Sequence, residues 1–256
     1  MKSQPAYRTI RFNTIGSTHE EASRLIDKGI DEDHLMITAS YQTQGIGQDN
    51  SLWFSDRGKN LLTSLIIYTS FLPADGQFML SKAVSLAILD LLKTRHLPGM
   101  SDIKIKWPND IYWGSEKIAG ILIRNQIQGN HLSKSVISIG LNVNQEVFPG
   151  WIPNPTSILL KTGIKQDLSG IEEALKTNLY LRFKLLRDNR EEILNNEYLH
   201  SLYRYNVLKP YVYQGNPILA RITGINEYGH LLLQDTNGQH LECDLKEIVF
   251  APDDQE

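Results

Sequence analysis

The chain has 256 residues, 41% apolar and 21% charged, which is enough for one sizeable domain plus a small one and excludes wholesale disorder. Its formal net charge of −3 gives no electrostatic footprint for nucleic acid. The single cysteine, Cys243, excludes an intramolecular disulfide, and no signal-like or membrane-length apolar run is present, so a cytoplasmic protein away from any membrane is expected.

In chain order, "TIGSTHEEASRLIDKG" predicts a helix that starts at Ser17 or Thr18, each in capping-box spacing with Glu20 or Glu21, and stops near Gly29. "LMITASYQ" reads as a strand. The glycine-containing loop "YQTQGIGQDNSLWFS" follows, and then the buried strand "NLLTSLIIYTS". Asp75 to Arg95 is the clearest helix, with Leu80, Val84, Ala87, Ile88, Leu91 and Leu92 at helical spacing. "IKIKW" leads into a Pro-Asn turn, and "IAGILIRNQI" and "SKSVISIGLNVN" flank "QGN" as a hairpin. Helices resume in "GIEEALKTNLYLRFKLLRDNREEILNNEYLHSLY". After Lys209-Pro210 short strands and turns, with "TNG" the strongest turn, predict a small β-barrel that docks on the main domain. The last six residues, "APDDQE", read as a frayed acidic tail.

Several segments carry residues suited to chemistry. Gly45 and Gly47 allow backbone to approach a ligand, and Trp53 in the same loop serves either as a lid or as a core plug. In "KIKWPNDIYW", Pro108 directs Asn109 and Asp110 out of a strand end. The amide there offers donor and acceptor, and the carboxylate suits Mg²⁺, a ribose or an amine; an Asx-turn is the plainer alternative. Lys117 opens an apolar strand whose Gly120 leaves room for something to approach, and a lysine there suits a carboxylate or phosphate. Asn142 is a polar residue within an apolar strand and needs a partner if buried.

Other chemistries are missing. No phosphate-loop or G-x-S-x-G motif occurs, and His19, His34, His96, His131, His200, His230 and His240 lack metal-ligand spacing. Residue chemistry alone reaches an α/β domain with a glycine loop, a lysine and two amide-bearing turns. It does not reach a reaction.

Taken together, "GSTHEEA", "YQTQGIGQDNSLWFS", "GKNLLTSL", "KWPNDI", "KIAGILIR", "SIGLNVN", "PTSI" and "ITGINEYGHLLL" resemble the biotin protein ligases in order and rough spacing over nearly the whole chain. The resemblance implies an α+β fold: a mixed-sheet catalytic domain over residues 1–208 and a small C-terminal Src-homology-3-like β-barrel over 209–256. It implies activation of biotin with ATP and Mg²⁺ to biotinyl-5′-AMP, then transfer to a lysine of a biotin carboxyl carrier protein or domain. Some such ligases carry an N-terminal winged helix-turn-helix. Here the catalytic region begins within the first twenty residues, so no DNA-binding role is expected, and the chain is expected as a monomer or homodimer.

By that resemblance Ser17, Thr18 and Gln42 contact biotin's ureido ring, and His19 stands where asparagine is usual. Gly45, Ile46, Gly47 and Gln48 form the loop over the adenylate, with Gln48 also facing the nucleotide. Gly120 lies beneath biotin, Lys117 near the biotin carboxylate and α-phosphate, and Trp53, Asn109 and Asn142 on the nucleotide side. Asp110 orients the incoming lysine or a metal.

The usual loop reads G-R-G-R-x-G-R-x-W, whereas Ile46, Gln48 and roughly Ser51 hold the arginine places here and Asp49 adds negative charge. A weaker charge-assisted grip and readier release of the adenylate follow, unless Arg124 or Arg57 compensates. Three other readings remain: a lipoate or octanoate ligase-transferase, a non-catalytic biotin sensor, and a transcriptional repressor.

Overall fold

The computed structural model describes residues 7–30, 32–95 and 98–252; His96 and most of the acidic tail lie outside them. Its first sheet holds β1 (Arg8–Phe12), β2 (Leu35–Ala39), β3 (Leu61–Tyr68), β4 (Ile103–Lys106), β5 (Asp110–Trp113), β6 (Glu116–Gln128) and β7 (His131–Leu141). The spatial order is β1-β2-β3-β7-β6-β5-β4. β1 and β2 run parallel across the helix α1 (Thr18–Asp27), and the other neighbours are antiparallel, which makes the sheet mixed.

The predicted caps and faces are seen. Ser17 is the N-cap of α1, its hydroxyl accepting from the Glu20 amide, and Gly29 takes a φ of 80° just past the helix end. The helix expected from Asp75 begins as one 3₁₀ turn and becomes α2 (Phe78–Lys93), with all six forecast apolar positions buried. α2 packs with α4 (Leu168–Arg187) and α5 (Glu191–Ser201) on one face of the sheet; α3 (Ile158–Thr162) is a short helix before them.

Strand alternation gives the sheet two different faces. Leu65, Ile67, Ile137 and Ile139 join the large core under α2 and α4, whereas Ile66 and Val136 pack with Ala22 and Ile26 of α1. α1 covers only part of its face. Ser64 on β3, and Ser138 and Gly140 on β7, share the parity of Ile66 and Val136, and that uncovered stretch becomes the cleft described below.

From Lys209 onward lie β8 (Lys209–Tyr213), β9 (Asn216–Ile225), β10 (Leu231–Asp235), β11 (His240–Cys243) and β12 (Ile248–Phe250). They form a five-stranded antiparallel sheet in the order β11-β10-β9-β8-β12, and the outer strands are not paired with each other among the described residues. The "TNG" turn is present: Asp235 Oδ1 accepts the amides of Asn237 and Gln239 at 2.9 and 2.8 Å, and Gly238 has a φ of 82°. This sheet docks as expected. Ile222, Leu231 and Leu233 belong to the same core as Trp107 and Tyr198, and Trp107 Nε1 donates to Gly229 O at 2.8 Å. Gly229 is required there, because a Cβ would fall 2.5 Å from Phe78 Cδ2. No helix among the described residues is long and apolar enough to cross a membrane.

Candidate functional site

A cleft of about 520 Å³ opens over the uncovered face of β3, β7 and β6, within the range typical of small-molecule sites. Ser17, Thr18 and His19 from the start of α1 line one end, with Gln42. Thr18 N and Oγ1 both donate to Gln42 Oε1, at 2.7 and 2.9 Å. Ser64 Oγ lies 2.9 Å from Thr18 Oγ1 and 2.8 Å from Ser138 Oγ, and Ser138 Oγ lies 2.7 Å from His19 Nδ1. Burial, and then the guanidinium of Arg124, hold the His19 ring below the ordinary histidine pKa.

Two residues along β7 from Ser138 the floor becomes glycine. Gly140 pairs with Gly120 of β6, and Trp53 lies across both. A Cβ at Gly140 would sit 2.4 Å from Trp53 Cε2, and one at Gly120 2.9 Å from Trp53 Cζ3. Trp53 is therefore packed directly on the glycine floor. Its Nε1 is buried without a hydrogen-bond partner among the described residues.

Beyond the glycines stands Lys117, whose backbone is held by Asn154 O at 2.7 Å and by Thr156 N at 2.9 Å. Its ammonium lies 2.6 Å from Asp110 Oδ1 and 5.7 Å from the centre of the Trp53 ring. Asp110 reaches this place because β5 pairs with β6, putting Asp110 opposite Gly120, with a bulge before Tyr112. Asn109 lines the cleft but uses its amide group to donate to Ile121 O at 2.7 Å, so part of it serves the turn. Asn142 donates to Thr156 O at 2.9 Å, and its buried Oδ1 has no partner among the described residues.

The loop folds on itself. Trp53 N donates to Gly45 O at 2.8 Å and Gly47 N to Ser51 O at 2.7 Å, around a 3₁₀ turn where Asp49 has a φ of 53°. Ile46, Gly47 and Gln48 line the cleft; Gly45 does not, and lies behind it, where a Cβ would meet Trp53 O at 2.5 Å. Neither expected compensating arginine enters the cleft. Arg57 donates to Asn13 O and Thr14 Oγ1 and lies over the Tyr41 ring, while Arg124 lines a separate small pocket with Ser23 and Asp27.

Sequence reasoning missed Ser64 and Ser138, although a serine in each of two apolar strands was a signal of a buried polar pair. It also missed Phe148, Trp151 and Ile152, which wall the cleft from an irregular segment with no periodicity to read. Cys243 is buried in the second sheet, and burial followed by Glu247 and Glu242 pushes its thiol up to about 11, so it is no nucleophile at neutral pH.

The mixed sheet bears a cleft with hydroxyls at one end and an ammonium–carboxylate pair at the other, a lining whose chemistry suits a small amphipathic acid. A sequence model of the Biotin/lipoate A/B protein ligase family matches residues 12–144, and the chain belongs to that family. Among relatives, the Bifunctional ligase/repressor BirA of Bacillus subtilis is 30% identical over 165 residues, covering 63% of this chain and 49% of that protein. The chain thus spans about half the length of the Bacillus proteins it matches. The Biotin--[acetyl-CoA-carboxylase] ligase of Mycobacterium tuberculosis is 24% identical over 235 residues, covering 91% of this chain and 85% of that protein. The Biotin protein ligase from Aquifex aeolicus in complex with biotin and ATP shares the fold with a TM-score of 0.76 at 21% identity, covering 94% of this chain and 97% of that one.

Proposed function

We propose that this chain activates biotin with ATP and transfers the biotinyl group to a lysine of a biotin carboxyl carrier domain. One observation carries the reading: the hydroxyl end, the glycine floor under Trp53 and the Lys117–Asp110 pair lie in series along β7 and β6. Biotin has the same sequence of chemistry, with a hydrogen-bonding cyclic urea, an apolar body and a carboxylate. The relatives' names and the Aquifex complex support it.

In the first half-reaction a biotin carboxylate oxygen attacks the α-phosphorus of ATP, and pyrophosphate leaves. Lys117 would hold the charge developing between carboxylate and phosphoryl oxygens, in exchange for its contact with Asp110. Asn142 Oδ1 offers an acceptor, and Trp53 Nε1 a donor, to the nucleotide. In the second, the carrier lysine's nitrogen attacks the biotinyl carbonyl, AMP leaves, and Asp110 would take the amine's proton. The apolar wall of Phe148, Trp151 and Ile152 would keep water from the mixed anhydride.

Among the described residues no three His, Cys, Asp or Glu side chains gather as a metal site. Mg²⁺ would therefore come bound mainly to the nucleotide's own phosphates, with Asp110 and Asp49 the carboxylates that line the cleft. We further assign residues 1–208 to the catalytic domain and 209–256 to the small domain, and place the reaction in the cytoplasm.

The expected result is pyrophosphate release with biotin and MgATP, followed by transfer of labelled biotin to an isolated carrier domain. The arginine-free loop favours one second reading, a biotin sensor, for which biotin would bind and no pyrophosphate would appear. Turnover with lipoate in place of biotin would move the chain to the other branch of its family.

A further inference from the structure

The hydrogens of the hydroxyl chain can be assigned one by one from a single unambiguous donor. The Thr18 backbone N–H reaches Gln42 Oε1 at 2.7 Å, so that atom is the side chain's carbonyl oxygen. Thr18 Oγ1, 2.9 Å from the same oxygen, can only donate to it. Its one hydrogen is then used, and it accepts from Ser64 Oγ at 2.9 Å. Ser64 in turn has no hydrogen left for Ser138, so Ser138 Oγ donates to it across 2.8 Å. Ser138 can then only accept from its remaining neighbour, which requires His19 Nδ1 to carry hydrogen across the 2.7 Å contact. The neutral ring is the Nδ1–H tautomer, with a lone pair on Nε2.

Nε2 has no hydrogen-bond partner among the described residues, and the half-buried ring forms part of the cleft wall. We infer that His19 is a specificity-determining residue: the chain from Gln42 to Ser138 holds its ring so that Nε2 accepts a hydrogen bond from an N–H of a bound cyclic urea. This rests on the biotin reading above. An asparagine at this position would offer donor and acceptor on a rotatable amide; His19 in this form offers an acceptor alone.

A pH dependence follows. A protonated ring carries N–H on both nitrogens and loses the acceptor, so binding is full above the ring's pKa and is lost as pH falls through it, approaching tenfold per pH unit. Of the groups around the ring, Ser64 on β3 and Ser138 on β7 are uncharged, and Arg124 on β6 opposes protonation. On α1 itself Glu20 is exposed and Glu21 is paired with Arg24; Asp49 of the loop lines the same cleft.

The test is calorimetry of biotin, and of biotin methylated on either ureido nitrogen, from pH 8 down to the lowest pH at which each protein stays folded, with wild type, His19→Asn and His19→Leu. Wild-type affinity should fall more steeply on acidification than that of His19→Asn, which keeps every other charged group of the site. Methylation of one ureido nitrogen should weaken wild type about tenfold or more and His19→Leu much less. Parallel pH profiles for wild type and His19→Asn, or equal biotin affinity in His19→Leu, would overturn the inference and leave the ligase reading standing. If His19→Leu does not fold, the profile of His19→Asn still decides. Wild type that binds no biotin at any pH would remove the reading and this inference with it.

Discussion

At one end of the cleft, side chains from α1, β3, β7 and the Gln42 segment pass hydrogen bonds along until each donor has a defined acceptor. At the other, Lys117 pairs with Asp110, and two buried atoms of the cleft lining, Trp53 Nε1 and Asn142 Oδ1, have no partner among the described residues. The first end has every hydroxyl hydrogen committed without ligand and keeps one acceptor, His19 Nε2, open. The second holds unsatisfied capacity beside a pair that can be exchanged. Satisfied networks position a substrate with little reorganisation; an ion pair beside orphan groups gains partners only when anions arrive.

Breaking the ion-pair end should have the largest effect. Lys117→Ala is expected to lower pyrophosphate release by about a hundredfold to a thousandfold, while calorimetric biotin binding changes much less. An unchanged rate would show that the ammonium does not act on the reacting groups.

The boundary between the two ends is Gly140. In Gly140→Ala a methyl would occupy the space of the Trp53 indole, so the ring must leave and the loop with it. Biotin affinity should fall by roughly tenfold or more, by loss of about 1.4 kcal/mol or more of contact, with quenched Trp53 fluorescence shifts on titration. Native affinity in that variant would mean that the indole is not part of the site.

Ser138→Ala tests the satisfied end. It removes the acceptor for His19 Nδ1–H and the donor to Ser64, and should destabilise the fold by about 1–3 kcal/mol. Thermal melting should register a drop of about 2–4 °C per kcal/mol for a chain this size. The smallest expected change is a gain. Gln48→Arg places a guanidinium in the cleft wall and should slow release of biotinyl-AMP by about tenfold, read in a chase experiment; no slowing would show that the loop's missing charge does not govern retention.

Much of this was legible in the linear order of residues. The Ser17 cap, the buried stripe of α2 and the glycine-bounded turns depend on neighbours a few positions away, and local spacing reports them directly. Asp110 and Lys117 stood out by residue chemistry, and Thr18 and Gln42 because the resemblance carried them. Ser64 and Ser138 did not, since their meaning depends on β3 meeting β7 in one register; a shift of one residue would send both serines to the opposite face. Trp53 was readable as lid or plug, and the fold shows its indole packed over two facing glycines.

What the order of amino acids settled unaided was the kind of most of the longer elements, the glycine-bounded turns, and a loop that lacks arginines, because these follow from backbone preference and side-chain chemistry at short range. What only the folded chain decided was which hydrogen each hydroxyl gives away, and hence the tautomer of His19. That answer passes through residues 18, 42, 64 and 138, which strand pairing and the start of one helix bring to within a hydrogen bond of each other.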